Sequence, residues 1–184
     1  MKKIFYSVTV LLFLGNAQAQ SVIKPPKGYS ENIGNMVTML DDLKGRVTRS
    51  VANLDQEGTD FLLDEKANRI GAMIMHLAAT EVYYQKYTFE GRGFTADENE
   101  KWGAALNLGD EGRGRLKDQP ISYYLEIWDE VRAETKALLK EKDDKWFSKK
   151  ASGAMSNHWA WYHVMEHQAN HMGQIRLIMG RIPN

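Results

Sequence analysis

The chain has 184 residues, 24 basic and 24 acidic side chains, and no cysteine. That charge balance gives no electrostatic case for a nucleic-acid or anionic-membrane partner. The missing cysteines exclude disulfides, lipid attachment to cysteine and Cys-x-x-Cys-His haem attachment.

Lys2 and Lys3, the apolar run Ile4 to Gly15 and the small-x-small triplet Ala17-Gln18-Ala19 form the pattern of a secretory signal. The apolar run falls short of the roughly 20 residues a bilayer span needs. It predicts residues 1–19 as a signal peptide cleaved after Ala19, a periplasmic or secreted protein, and no membrane anchor after cleavage. Residues 20–184 remain as one domain, large enough for a proper core.

Ser21 to Gly28 reads as a leader arm. From Ser30, a candidate N-cap, Ile33, Met36, Val37, Leu40, Leu43, Val47, Val51 and Leu54 recur at helical spacing. Gln56-Glu57-Gly58-Thr59 punctuates, and a second helix is predicted from about Asp60 to Tyr87, with Leu63, Ala67, Ile70, Ile74, Leu77 and Ala78 on its apolar side. Glu90 to Gln119 carries six scattered glycines and reads as a long connection with a short helical turn around Glu98 to Leu106. Gly112-Arg113-Gly114-Arg115 within it reads as a solvated loop, because one such copy in a neutral chain is no RNA-binding tract.

Pro120 suits the first turn of a third helix that keeps its period from Ile121 to about Lys142. A fourth runs from near Ser156 to Gly180, a candidate C-cap ahead of Pro183. No segment shows strand alternation. The fold class is all-α: an antiparallel four-helix bundle with a long connection between helices 2 and 3.

The fourth helix carries His163, His167 and His171, four residues apart, and the second carries His76. Each step of four advances about 40° around a helix, so the three imidazoles share one face with Ala160, Val164 and Ile178. Three core-facing imidazoles in a row need a metal or a dense polar network. His158 falls about 180° from His167 and is set aside. Glu81, about 140° from His76, and Glu166, about 100° from His167, are poor ligands. No His-Glu-x-x-His is present, which disfavours a zincin-type protease. The nine methionines sit at helical spacing, where packing rather than haem ligation is their usual role. Trp161 and Tyr162 point away from the histidines, which fits packing on a third helix or a dimer partner. Which three histidines bind is open on spacing alone.

At these residues the chain resembles the DinB-like superfamily. The matching segments are His76-Leu77-Ala78-Ala79-Thr80-Glu81, Glu130-Val131-Arg132, and His163-x-x-x-His167-x-x-x-His171-x-Gly173-Gln174-Ile175. The usual basic residue after the last histidine is Met172 here, which faces outward. The resemblance implies an up-down-down-up four-helix bundle with metal ligands His76, His167 and His171. His163 becomes a reserve ligand or a proton-transfer group, and with Tyr83 it is a catalytic candidate. It also implies frequent dimers, and relatives that are metal-dependent transferases or an isomerase using small cytosolic thiols, a cofactor class at odds with export.

Imidazole ligands suit Zn²⁺ first and Ni²⁺, Fe²⁺, Mn²⁺ or Co²⁺ also. The expected function is an exported metalloprotein with an open three-histidine site, a hydrolase or transferase acting on an unidentified small molecule. The alternative is a non-catalytic stress module that binds a metal or small ligand.

Overall fold

A computed structural model describes residues 22–183; the signal peptide expected at residues 1–19 lies outside them. The described residues are almost entirely helical. In chain order they form α1 (Glu31–Val51), α2 (Gln56–Asp60), α3 (Ile70–Gln85) continued by a π-helical turn (Lys86–Glu90), α4 (Ala96–Asn107), α5 (Gly109–Arg115), α6 (Ile121–Lys140), α7 (Asp144–Ser148), the short antiparallel strands β1 (Lys150–Ser152) and β2 (Met155–Ser156), and α8 (Asn157–Met179). The bundle is built from α1, α3, α6 and α8, with α3 packed on α6 and α8 and α1 packed on the same two. No helix among the described residues is long and apolar enough to cross a membrane.

The periodicity of α1 translates directly into burial: Ile33, Met36, Val37, Leu40, Leu43, Val47 and Val51 are all buried. Its N-terminus is capped from a distance. Asp144 of α7 accepts from the backbone N–H of Asn32 at 3.1 Å and of Ile33 at 3.2 Å, and from the Ser30 hydroxyl at 2.5 Å. Acidic oxygen at the positive end of a helix satisfies orphan donors and complements the dipole.

The second helix begins at Ile70, ten residues later than its periodicity suggests. Phe61 and Arg69 have extended backbones. Between them the Asp64 carboxylate accepts from the N–H of Lys66 and Ala67, both at 2.8 Å, a local turn that competes with helix. Leu63 is left exposed as a consequence. From Ile70 onward α3 is buried nearly all round, as a helix enclosed by neighbours must be. Gly71 allows a close approach of α6. A Cβ there would lie 2.4 Å from Cε2 of Tyr124 on α6.

The glycine-bearing connection is more ordered than its composition suggests. Thr95 and Glu98 form a reciprocal capping box that starts α4, and Trp102, Ala104 and Ala105 bury against α3. Gly112-Arg113-Gly114-Arg115 is helical rather than a loose loop, because Arg113 donates to the Lys66 carbonyl at 2.9 Å while Arg69 donates to the Arg113 carbonyl at 2.7 Å. Those two contacts dock α5 on the segment before α3. Among the described residues, strand structure is confined to the hairpin of β1 and β2 ahead of α8, five strand residues in all.

Two apolar clusters fill the bundle, one around α3, α6 and the C-terminal part of α8, the other around the start of α1, Phe147, Trp161 and Val164. Buried polar groups from α3, α6 and α8 accompany them, with the partly exposed Asp41 of α1 at their edge. Arg132 donates to both oxygens of Glu81, Trp128 Nε1 donates to Glu81 at 3.2 Å, and Gln168 and Asp41 complete the set.

Candidate metal centre

His76 sits near the middle of α3, and His167 and His171 one turn apart on α8. Helix packing brings their rings together: His76 Nε2 lies 3.0 Å from His167 Nε2, and His171 Nε2 lies 3.0 Å from the same atom. All three ligand atoms fall within 4.8 Å of one another, and among the described residues no carboxylate joins the group. His76 is the most enclosed of the three, and His167 and His171 are partly buried.

The fourth bundle-facing contact comes from α4. The Nδ1 of His76 lies 2.9 Å from the carbonyl oxygen of Ala105, 29 residues away in sequence. A carbonyl can only accept, so Nδ1 carries the proton and donates, and Nε2 keeps its lone pair pointing at the other two histidines. This is the outer hydrogen bond that metal-ligating histidines ordinarily make. The sequence offered no signal for it, because any residue supplies a carbonyl and the partner is fixed only by how α4 docks.

Burial holds all three imidazoles in the neutral form. It pushes His167 down to about 3, with neighbouring His171 and His76 adding repulsion, and His171 down to about 4, with His76 adding to the effect. Burial also lowers His76. Three neutral rings with converging lone pairs are a donor set for a divalent transition metal and a poor hydrogen-bond network, since each close pair can share only one proton. The Nδ1 atoms of His167 and His171 are buried without hydrogen-bond partners among the described residues. The donor chemistry fits a metal.

His163 stands apart from this group. Its ring is 6.1 Å from that of His167, centroid to centroid, and its Nδ1 faces the Glu166 carboxylate at 3.4 Å. Trp159 stacks on it at 5.2 Å and 9°. Tyr83 lies two turns beyond His76 on α3, against Phe94 at 5.4 Å; the tyrosine next to His163 is Tyr84, at 5.8 Å. His158 stacks on Phe147, remote from the cluster. Trp161 is fully buried as a packing residue, whereas Trp159 is 47% exposed. Glu81 is no ligand: it is wholly buried and spent on Arg132, Trp128 and Gln168.

The model of one family, described as mycothiol-S-transferase, matches residues 35–182, which include every residue of this site. No curated protein matches the chain.

Proposed function

The chain belongs to the mycothiol-S-transferase family, a member of the DinB-like superfamily of metal-dependent folds, and on that premise we propose that it is an exported metalloenzyme that presents a small thiol or water to an organic electrophile. One observation carries the reading: three neutral imidazoles aim their Nε2 atoms at one point, with the His76 tautomer set by Ala105. His76, His167 and His171 would hold the metal, zinc first among the candidates. A divalent metal held there supplies Lewis acidity, which turns a thiol or a water into a nucleophile near neutral pH.

The chain's own residues do the rest. Three ligands leave coordination positions for reactants, and the partial exposure of His167 and His171 would give those reactants entry. The buried Glu81–Arg132–Gln168 group holds α3, α6 and α8 in register on the core side, so the two imidazole-bearing helices keep a fixed separation. His163, in contact with Glu166 and Trp159, would pass a proton between the site and solvent.

The first experiment is metal content by mass spectrometry on mature, untagged protein and on a His167→Ala/His171→Ala variant. About one equivalent in the wild type, lost in the variant, supports the site. Titrating cobalt-loaded protein with a simple thiol then separates the two nucleophiles, because a new sulfur-to-cobalt charge-transfer band appears only if thiol enters the site. Metal-free protein after reconstitution, with the variant equally stable, overturns the reading in favour of a non-catalytic bundle.

A further inference from the structure

Beyond the three ligands, a row of rings runs along the contact between α3 and α8. Following α8 toward its N-terminus, His163 is 6.1 Å from His167, and Trp159 stacks on His163 at 5.2 Å. Across from them on α3, Tyr84 is 5.8 Å from His163 and Tyr83 is 5.6 Å from Tyr84, and Phe94, just before α4, is 5.4 Å from Tyr83. Tyr83, Tyr84, Phe94 and His163 are partly exposed and Trp159 is 47% exposed. Beyond Trp159 lies a cleft of about 370 Å³ that it lines together with Ala154, Met155 and Ser156. These rings are contiguous and lead away from the metal ligands, unlike the core aromatics Trp128, Trp161 and Tyr124, which are enclosed.

One polar group stands between the two regions. Thr80 is one helical turn beyond His76, about 40° around α3 and so on the same face. It is 7% exposed, and its Oγ1 makes no hydrogen bond among the described residues. A threonine inside a helix ordinarily bonds back to the carbonyl four residues earlier, so an unpartnered buried hydroxyl needs another explanation.

We infer that this row is the substrate-recognition surface of the metal site and that it takes a molecule with a planar aromatic ring, whose polar group is held by Thr80. This rests on the metal-site reading above and specifies its substrate class. Tyr84 and Trp159 each lie eight residues along their helices from a ligand, roughly 12 Å of rise, and His163 half that distance. A ring joined to the reacting atom by a chain of about four carbons therefore reaches His163 and enters the row. Stacked and edge-to-face contacts favour a flat ring over a saturated ring of similar area.

The test compares 4-phenylbutane-1-thiol with 4-cyclohexylbutane-1-thiol on cobalt-loaded protein, and the matching alcohols, 4-phenylbutan-1-ol and 4-cyclohexylbutan-1-ol, by calorimetry on protein with and without metal. The phenyl compounds are expected to bind about ten-fold more tightly than the cyclohexyl ones. Trp159→Ala, at an exposed position, brings that ratio close to one with melting temperature and metal content unchanged. Thr80→Val weakens both alcohols about five-fold and leaves the ratio intact. Equal affinity for the two rings in the wild type, or a ratio that survives Trp159→Ala, overturns the inference. A phenyl preference in calorimetry without any cobalt spectrum would instead overturn the metal reading and leave the recognition surface standing.

Discussion

Arg132 and Glu81 meet as a fork-to-fork ion pair inside the bundle, Nε to Oε1 at 2.7 Å and Nη2 to Oε2 at 3.0 Å, with side chains 5% and 0% exposed. Such a pair stabilises little relative to an apolar pair, but its rupture leaves an uncompensated buried charge. Arg132→Met is therefore expected to lower unfolding free energy by about 3–5 kcal/mol. The double substitution Arg132→Met/Glu81→Leu recovers most of that loss. Denaturant unfolding of Arg132→Met, Glu81→Leu and the double gives the comparison; a double no more stable than Arg132→Met would mean that Glu81 is satisfied by Trp128 and Gln168 alone.

Gly71 supplies a second stability prediction with two opposed effects. Alanine is favoured over glycine in a helix interior by about 1 kcal/mol. Here, however, its methyl carbon would start 2.4 Å from Tyr124 Cε2, and Tyr124 is 1% exposed and unable to swing away. Overpacking of this kind costs about 1–3 kcal/mol, so the steric effect wins and Gly71→Ala lowers the melting temperature. A rise on thermal melting would show that α3 and α6 can part slightly without loss.

Acid should act most strongly on metal-free protein. In the unfolded chain the histidines take up protons near pH 6.5, whereas in the fold His167 does so only at about 3 and His171 at about 4. Below pH 6.5 the unfolded chain thus binds more protons, and acidification destabilises the fold; above pH 6.5 the contribution is complete. Melting curves of chelator-treated protein should show a falling transition between pH 6.5 and 4. Metal at a hundred times its dissociation constant adds about 2.7 kcal/mol at neutral pH, and loses that effect as protons compete for the rings. Identical curves with and without chelator would contradict the metal site.

That His76 and the histidines of the last helix face the bundle interior was legible in the sequence, because apolar spacing on long helices fixes which way a side chain points; the choice of His76, His167 and His171 over His163 came from the family resemblance and not from spacing. The start of α3 was not, since Leu63 and Ala67 continue the helical period while Asp64 turns the backbone away from it. The role of α4 was hidden in a different way. A helical turn around Glu98 to Leu106 was legible and matches α4, but that its Ala105 carbonyl orients a ligand was not, because carbonyls have no residue signature. Trp159 and Trp161 take different roles although they are two residues apart. The two are separated by only about 200° of helix, which puts one inside the core and the other on His163.

The capping of α1 by Asp144 joins the first and last parts of the bundle and can be tested alone. The carboxylate accepts from Ser30, Asn32 and Ile33, residues more than a hundred positions away. Burial opposes its ionisation, but these hydrogen bonds outweigh that effect and hold its carboxyl below the ordinary aspartate range. Asp144→Ala should cost about 1 kcal/mol, within the usual range for a lost N-cap. Asp144→Asn, which keeps an acceptor but no charge, should recover part of it. The depressed carboxyl contributes above its unfolded pKa and loses its effect as pH falls through the folded one, so the gap between wild type and Asp144→Ala should narrow below about pH 4. Hydrogen exchange at Asn32 and Ile33 locates the effect: their amides should lose protection in Asp144→Ala while those in the middle of α3 keep theirs. Uniform loss across both helices would mean that Asp144 supports the whole bundle rather than one helix end.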